Sequence, residues 1–136
     1  MADLEFRIRH EALDAIIAHA RTEAPVECCG MLVGADRSIA EAVPAHNIAA
    51  SPQRFLIDPK DHIDARRRAR HRGLDVLGFY HSHPRSPAEP SPTDIAEAAY
   101  PDAVYLIVSL EKAAAAARLF RIERGRAIEL PLMSVA

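Results

Sequence analysis

Two histidines stand two residues apart at the end of an apolar run, Val76-Leu77-Gly78-Phe79-Tyr80-His81-Ser82-His83. In a strand, residues i and i+2 point to the same face, so both imidazoles aim at one point. Pro84 ends the strand because it cannot donate to a ladder. A proline-rich loop with Pro87 and Pro90 follows, and Ser91-Pro92-Thr93-Asp94 then reads as a helix start. Ser91 is the N-cap, Pro92 the first helical residue, and Asp94 lies three positions past the cap. A helix packing back beside the strand end brings Asp94 to the histidines. Two imidazoles and one carboxylate, with a fourth position left for water, form a catalytic zinc arrangement. A plainer account is available: Ser91 and Asp94 as a capping pair, His81 and His83 as polar strand-end residues. Their joint spacing beside the proline-rich loop favours the metal.

These residues carry a family resemblance. His81-Ser82-His83-Pro84, six residues, Ser91, two residues and Asp94 resemble the signature of the JAMM (MPN+) zinc metalloproteases. That family also uses a glutamate upstream, where a strand begins after the first helix. Pro25-Val26-Glu27-Cys28-Cys29-Gly30-Met31-Leu32-Val33-Gly34 looks like that segment, with Glu27 in the matching place. The resemblance runs from about Leu13 to the last strand. It implies His81, His83 and Asp94 as Zn2+ ligands, Glu27 as general base and proton shuttle, and Ser91 as donor to the oxyanion. It also implies direct attack of zinc-bound water on an amide, with no covalent intermediate. The implied substrate is the peptide or isopeptide bond after the C-terminal Gly-Gly of a ubiquitin-like or sulfur-carrier protein. Diglycine suits a narrow channel beside a metal because it has no side chains. Small prokaryotic stand-alone members are the nearest in size.

The elements around these residues must hold them in place. Leu4 to Arg9 alternates apolar and charged residues, as a half-buried strand does. Glu11 to Glu23 carries Leu13, Ile16, Ile17 and Ala20 at helical spacing. Gly30 to Val33 and Ile39 to Val43 predict a hairpin, Pro44 to Pro52 a polar loop, and Arg54 to Ile57 a strand. Asp58-Pro59 starts a helix that ends near Gly73 and bears Arg66, Arg67, Arg68, Arg70 and Arg72. Such a run reads first as a solvated face and second as a dock for an acidic partner. Thr93 to Tyr100 is expected to be a short helix. Ala103 to Leu110 predicts a central strand, Ala116 to Ile122 another, and Ala127 to Leu132 the last. The fold class is α/β: a mixed β-sheet flanked by helices. The resemblance specifies it as an MPN/JAMM domain, related to the cytidine-deaminase-like fold. The His-x-Glu and Pro-Cys-x-x-Cys of the deaminases themselves are absent.

The 136 residues suit one domain, 1–136, large enough to bury a core. A formal net charge of −2 gives no electrostatic reason to expect nucleic acid. No run approaches the roughly eighteen apolar residues of a membrane span, and the first residues lack a signal-peptide pattern. Cys28 and Cys29 are adjacent, face opposite ways in a strand, and do not favour an ordinary disulfide. Reduced thiols in a cytoplasmic protein are expected. His10, His19, His62 and His71 are expected to face solvent, and His46 to lack a partner. Oligomeric state is not legible. Two other functions fit the residues: a zinc amidase acting on small peptides or other amides, and an inactive MPN-type binding scaffold.

Overall fold

The computed structural model describes residues 5–136. The first strand, β1 (Phe6–Arg9), buries Phe6 and Ile8 and exposes Arg7 and Arg9. Leu4, which the alternation adds to this strand, lies outside the described residues. Helix α1 (His10–Glu23) follows directly and buries Ala12, Ile16 and Ala20, with Leu13 and Ile17 packed beside them. That is the apolar stripe read from the sequence; removing a side chain such as Ile16 from water contributes roughly 1.5–3 kcal/mol.

Strands β2 (Cys29–Ala35) and β3 (Ser38–Ala45) form the expected hairpin, turning where Asp36 takes a φ of 55°. Helix α2 (Pro59–His71) begins with Asp58 accepting the Lys60 N–H and Pro59 in the first turn. Then come β4 (Asp75–His83), α3 (Pro92–Glu97), β5 (Val104–Ser109), β6 (Ala116–Glu123), β7 (Arg126–Leu130) and β8 (Leu132–Val135). The strand order is β7-β6-β5-β4-β2-β3-β1-β8, with β4 antiparallel to β2 and parallel to β5. It is a mixed sheet with helices packed on it.

Strands β7 and β8 are separated only by Pro131, yet they occupy opposite ends of that order. The sheet must therefore curl until its two edges become neighbours. Helix α1 fills the concave side, where Ile16 and Ala20 share a core with Tyr80, Leu106, Leu119 and Leu130. The other face gathers Met31, Phe79, Tyr105, Phe120 and Ile122 against Ala65 of α2. All six residues of β5 are buried, which agrees with its expected central place.

Three local expectations are corrected. Arg54 to Ile57 is no strand: its backbone bonds to the side chain of Asn47, and only one bridge, Asn47 with Ile57, forms. Helix α3 stops at Glu97 rather than Tyr100, with Ala98 already extended at ψ 115°, and Pro101 further disfavours a helical Tyr100. The final strand is broken at Pro131 into β7 and β8, which pair with different partners. Among the described residues no helix is long and apolar enough to cross a membrane.

Candidate metal centre and catalytic cleft

Strand β4 presents the two histidines. It is held on both sides, with His81 opposite Cys29 of β2 and Ile107 of β5. Phe79, His81 and His83 share one face, while Tyr80 and Ser82 point to the α1 side. Asp94 arrives from the start of α3. Its backbone N–H donates to Ser91 Oγ at 3.0 Å, and its Oδ2 accepts from the Ser91 N–H at 2.9 Å. The same Oδ2 lies 3.1 Å from His81 Nε2 and 3.0 Å from His83 Nε2. The capping box and the convergence on histidine therefore occur together at one carboxylate. His81, His83 and Asp94 are 2%, 4% and 7% exposed.

These three side chains are grouped as a metal ion requires. The two Nε2 atoms are 3.2 Å apart. Tetrahedral ligands around a zinc ion with bonds of about 2.0 Å would stand about 3.3 Å from one another. Proton placement bears on the same point. His83 Nδ1 faces the Pro87 carbonyl at 2.8 Å, an acceptor only, so Nδ1 carries the proton. Neutral His83 then aims a lone pair from Nε2 at the Asp94 carboxylate. Acceptor would then face acceptor, and the conflict is relieved either by a second proton, on Nε2, or by a cation between the two groups.

The electrostatics follow. At His81 burial dominates and lowers the imidazole pKa, with Asp94 only partly opposing it. At His83 burial also lowers it, but the hydrogen bonds with Asp94 and Pro87 prevail and leave it raised. Burial would raise the Asp94 pKa, yet hydrogen bonds from the two histidines hold it well below the carboxylate range.

Glu27 lies just before β2 and is 3% exposed. Its Oε1 is buried and has no hydrogen-bond partner. Burial pushes its carboxyl up to about 8, with His83 opposing and Asp94 adding to the rise. It shares a cavity of about 630 Å³ with His83, Ser91 and Arg85. Three contacts hold it there. Its N–H donates to the Ser51 carbonyl at 2.9 Å, and its carbonyl accepts from Asn47 Nδ2 at 3.0 Å. The next residue, Cys28, donates its N–H to Ser82 Oγ at 2.8 Å. Ser82, on the opposite face of β4, thus links the histidine strand to the glutamate segment.

Asn47 was legible only as a loop residue. Its amide also donates to the Arg54 carbonyl and accepts from the Ala49 and Leu56 N–H groups. This fixes the 54–57 segment so that Phe55 stacks on the His81 ring at 4.3 Å. On that side a second, mainly apolar cleft of about 440 Å³ opens between α2 and α3, lined by Phe55, Leu56, Phe79, Tyr100 and Tyr105. Arg54 and Glu97 pair across its rim at 2.8 Å. The candidate centre therefore lies where two clefts meet, one with His81 and Asp94 in its wall and one with His83 and Ser91.

Three histidine expectations are corrected. His19 is half-buried and lies 2.7 Å from the Tyr80 hydroxyl, because α1 packs into the curled sheet. His62 meets Phe79 and Tyr100 edge-on and lines the apolar cleft. His46 has a partner after all: its Nδ1 is 2.9 Å from Asp61 on α2. Cys28 and Cys29 are free and buried. Burial pushes their thiols up to about 11 and about 12, so neither is a nucleophile at neutral pH.

Known proteins resemble this chain over most of its length. The family model described as prokaryotic homologs of the JAB domain matches residues 9–123. A desampylase from Haloferax volcanii is 38% identical over 116 residues, covering 80% of this chain and 84% of its own. A CysO-cysteine peptidase from Mycobacterium tuberculosis is 33% identical over 128 residues, covering 92% and 88%. A solution structure of a Desulfitobacterium hafniense protein superposes with a TM-score of 0.89 at 32% identity, covering 96% and 92%.

Proposed function

The chain belongs to the family of prokaryotic JAB-domain homologues, and on that premise we propose how this member works and on what. It is a metallopeptidase of the JAMM type that hydrolyses the bond after the C-terminal Gly-Gly of a ubiquitin-like or sulfur-carrier protein. Relatives named desampylase and CysO-cysteine peptidase support that substrate class. We assign residues 1–136 to one catalytic domain. The free, buried cysteines suit a reducing compartment such as the cytoplasm.

The observation that carries the reading is the pairing of two features. Three donor atoms stand 3.0–3.2 Å apart. Beside them is a buried Glu27 oxygen with nothing to bond. His81 Nε2, His83 Nε2 and Asp94 Oδ2 would hold a zinc ion. Zinc held there would lower the pKa of water towards neutrality and polarise the substrate carbonyl.

The rest is the work of this chain's own groups. Water adds to the carbonyl carbon as Glu27 takes its proton at the carboxylate. Glu27 then delivers that proton to the departing amine as the C–N bond breaks. A cation nearby keeps the Glu27 carboxyl ionised, the form a base needs. Ser91 Oγ accepts from the Asp94 N–H. Its own hydroxyl proton is left to donate to the oxyanion, an interaction worth roughly a hundredfold in rate. The Phe55 ring, stacked on the buried His81, shields that side of the centre from solvent.

The test is cleavage of a ubiquitin-like carrier fused through Gly-Gly to a reporter, read by mass spectrometry. Wild-type protein is expected to release a carrier ending in Gly-Gly, and Glu27→Gln to be slower by a hundredfold or more. Undiminished cleavage by Glu27→Gln would overturn the assignment. Activity confined to short amides would favour an amidase.

A further inference from the structure

The exposed side of α2 concentrates positive charge on a molecule of net charge −2. Ala65 and Ala69 face the core. On a helical wheel Lys60, Ile63, Arg67 and Arg70 fall on the side away from them, with Arg66 on the flank towards Pro59 and His62. Those four and Arg66 are exposed. Arg72 pairs with Glu41, and Arg66 contacts His62. Arg67, Arg68 and Arg70 have no ion-pair partner among the described residues. Of the helix's acidic residues, Asp61 lies on the flank opposite the one bearing Arg66 and is engaged by His46, and Asp64 sits further round that same side, beside Arg67.

This face is continuous with the apolar cleft. Pro59 and His62 of the same helix line that cleft, and the Arg66 guanidinium stands 5.8 Å over the Tyr100 ring at its mouth. Exposed apolar surface gathers here too. Among six large apolar side chains exposed in the described residues are Leu56 and Tyr100 on the cleft and Ile63 on α2. An apolar centre flanked by unpaired arginines is the composition of a protein-binding surface, since arginine and tyrosine are enriched in such contacts.

We propose that this face of α2 docks the folded body of the carrier through an acidic patch on it, while the carrier's tail occupies the cleft leading to His81. The inference rests on the peptidase reading above and adds the specificity device. Tail recognition alone would accept any Gly-Gly end. Charge complementarity at α2 selects carriers by their folded surface and accelerates their encounter. The occupant is acidic because Arg67 and Arg70, exposed and without an ion-pair partner, complement an opposite charge.

The experiment compares two substrates: a folded, acidic-faced ubiquitin-like carrier fused through Gly-Gly to a reporter, and a short peptide with the same tail and leaving group. In R67E/R70E the KM for the carrier is expected to rise about tenfold relative to the KM for the peptide. Added salt should raise the wild-type carrier KM and leave that of the double variant much less affected. Replacing acidic residues on the carrier with lysine should restore cleavage by the double variant. An unchanged carrier-to-peptide KM ratio overturns the docking proposal while leaving the peptidase reading intact. A wild-type protein that cleaves neither substrate overturns both.

Discussion

The side-chain amide of Asn47 donates to the main-chain carbonyl of Glu27 at 3.0 Å. The same amide group holds the backbone of Arg54 and Leu56, and with them Phe55 over His81. One loop asparagine therefore sets the glutamate on one side of the centre and the aromatic wall on the other. Asn47→Ala removes these bonds, of which those to Arg54 and Leu56 are exposed and open to water, and about 0.5–1.5 kcal/mol of stability should be lost. Catalysis should fall more than tenfold while metal content stays at one ion per chain. Elemental analysis and kcat measured on the same preparation check this, and loss of metal in parallel with activity would refute a positioning role.

Ser82 acts on Glu27 from the other side. Its Oγ accepts from the Cys28 N–H, and its own N–H donates to the Cys28 carbonyl. Ser82→Ala removes the first bond and buries an unsatisfied N–H, at a cost of about 1–3 kcal/mol. Chemical denaturation should show that loss. A fall in kcat with little change in KM should accompany it.

Glu27 makes the metal-free protein sensitive to pH. Its folded carboxyl is raised to about 8 by burial, against 4.5 ordinarily. A raised acid contributes stability that is fully present below its unfolded pKa and is lost as pH rises through the folded one. Between pH 4.5 and about 8, metal-free wild type should therefore lose thermal stability relative to Glu27→Gln. Zinc should shrink the difference, because a cation favours the carboxylate. Parallel melting curves across that range would remove Glu27 from the buried centre.

Zinc should stabilise the fold as well as activate it. Binding to the native state alone contributes roughly 4 kcal/mol at a thousandfold excess over Kd. The melting temperature should rise with added zinc, fall with a chelator, and ignore both in His83→Ala. A shift that persists in that variant would mean the ion binds elsewhere.

The thiols of Cys28 and Cys29, raised to about 11 and about 12 by burial, should resist a thiol reagent at pH 8 until the protein unfolds. Above an ordinary thiol pKa of 9.0 their contribution to stability is progressively lost. Replacing both with alanine should flatten the alkaline decline. Fast native-state labelling that abolishes activity would contradict their burial.

The sequence alone identified the chemistry, because that chemistry depends on local spacing. His81 and His83 share a face through strand alternation, and Ser91, Pro92 and Asp94 form a helix cap through first-turn geometry. Both are determined within a few residues. The same holds for α1 and α2, where periodicity and Asp58-Pro59 suffice. Contacts between distant segments were not legible. The Asn47 amide replaces a strand with side-chain bonds at 54–57. Pro131 splits a strand across the two edges of a curled sheet. His19 reaches Tyr80 only because α1 lies inside that curl. Each of these depends on which surfaces meet after the sheet closes, and tertiary packing decides that because a side chain's burial is set by neighbours far away in sequence.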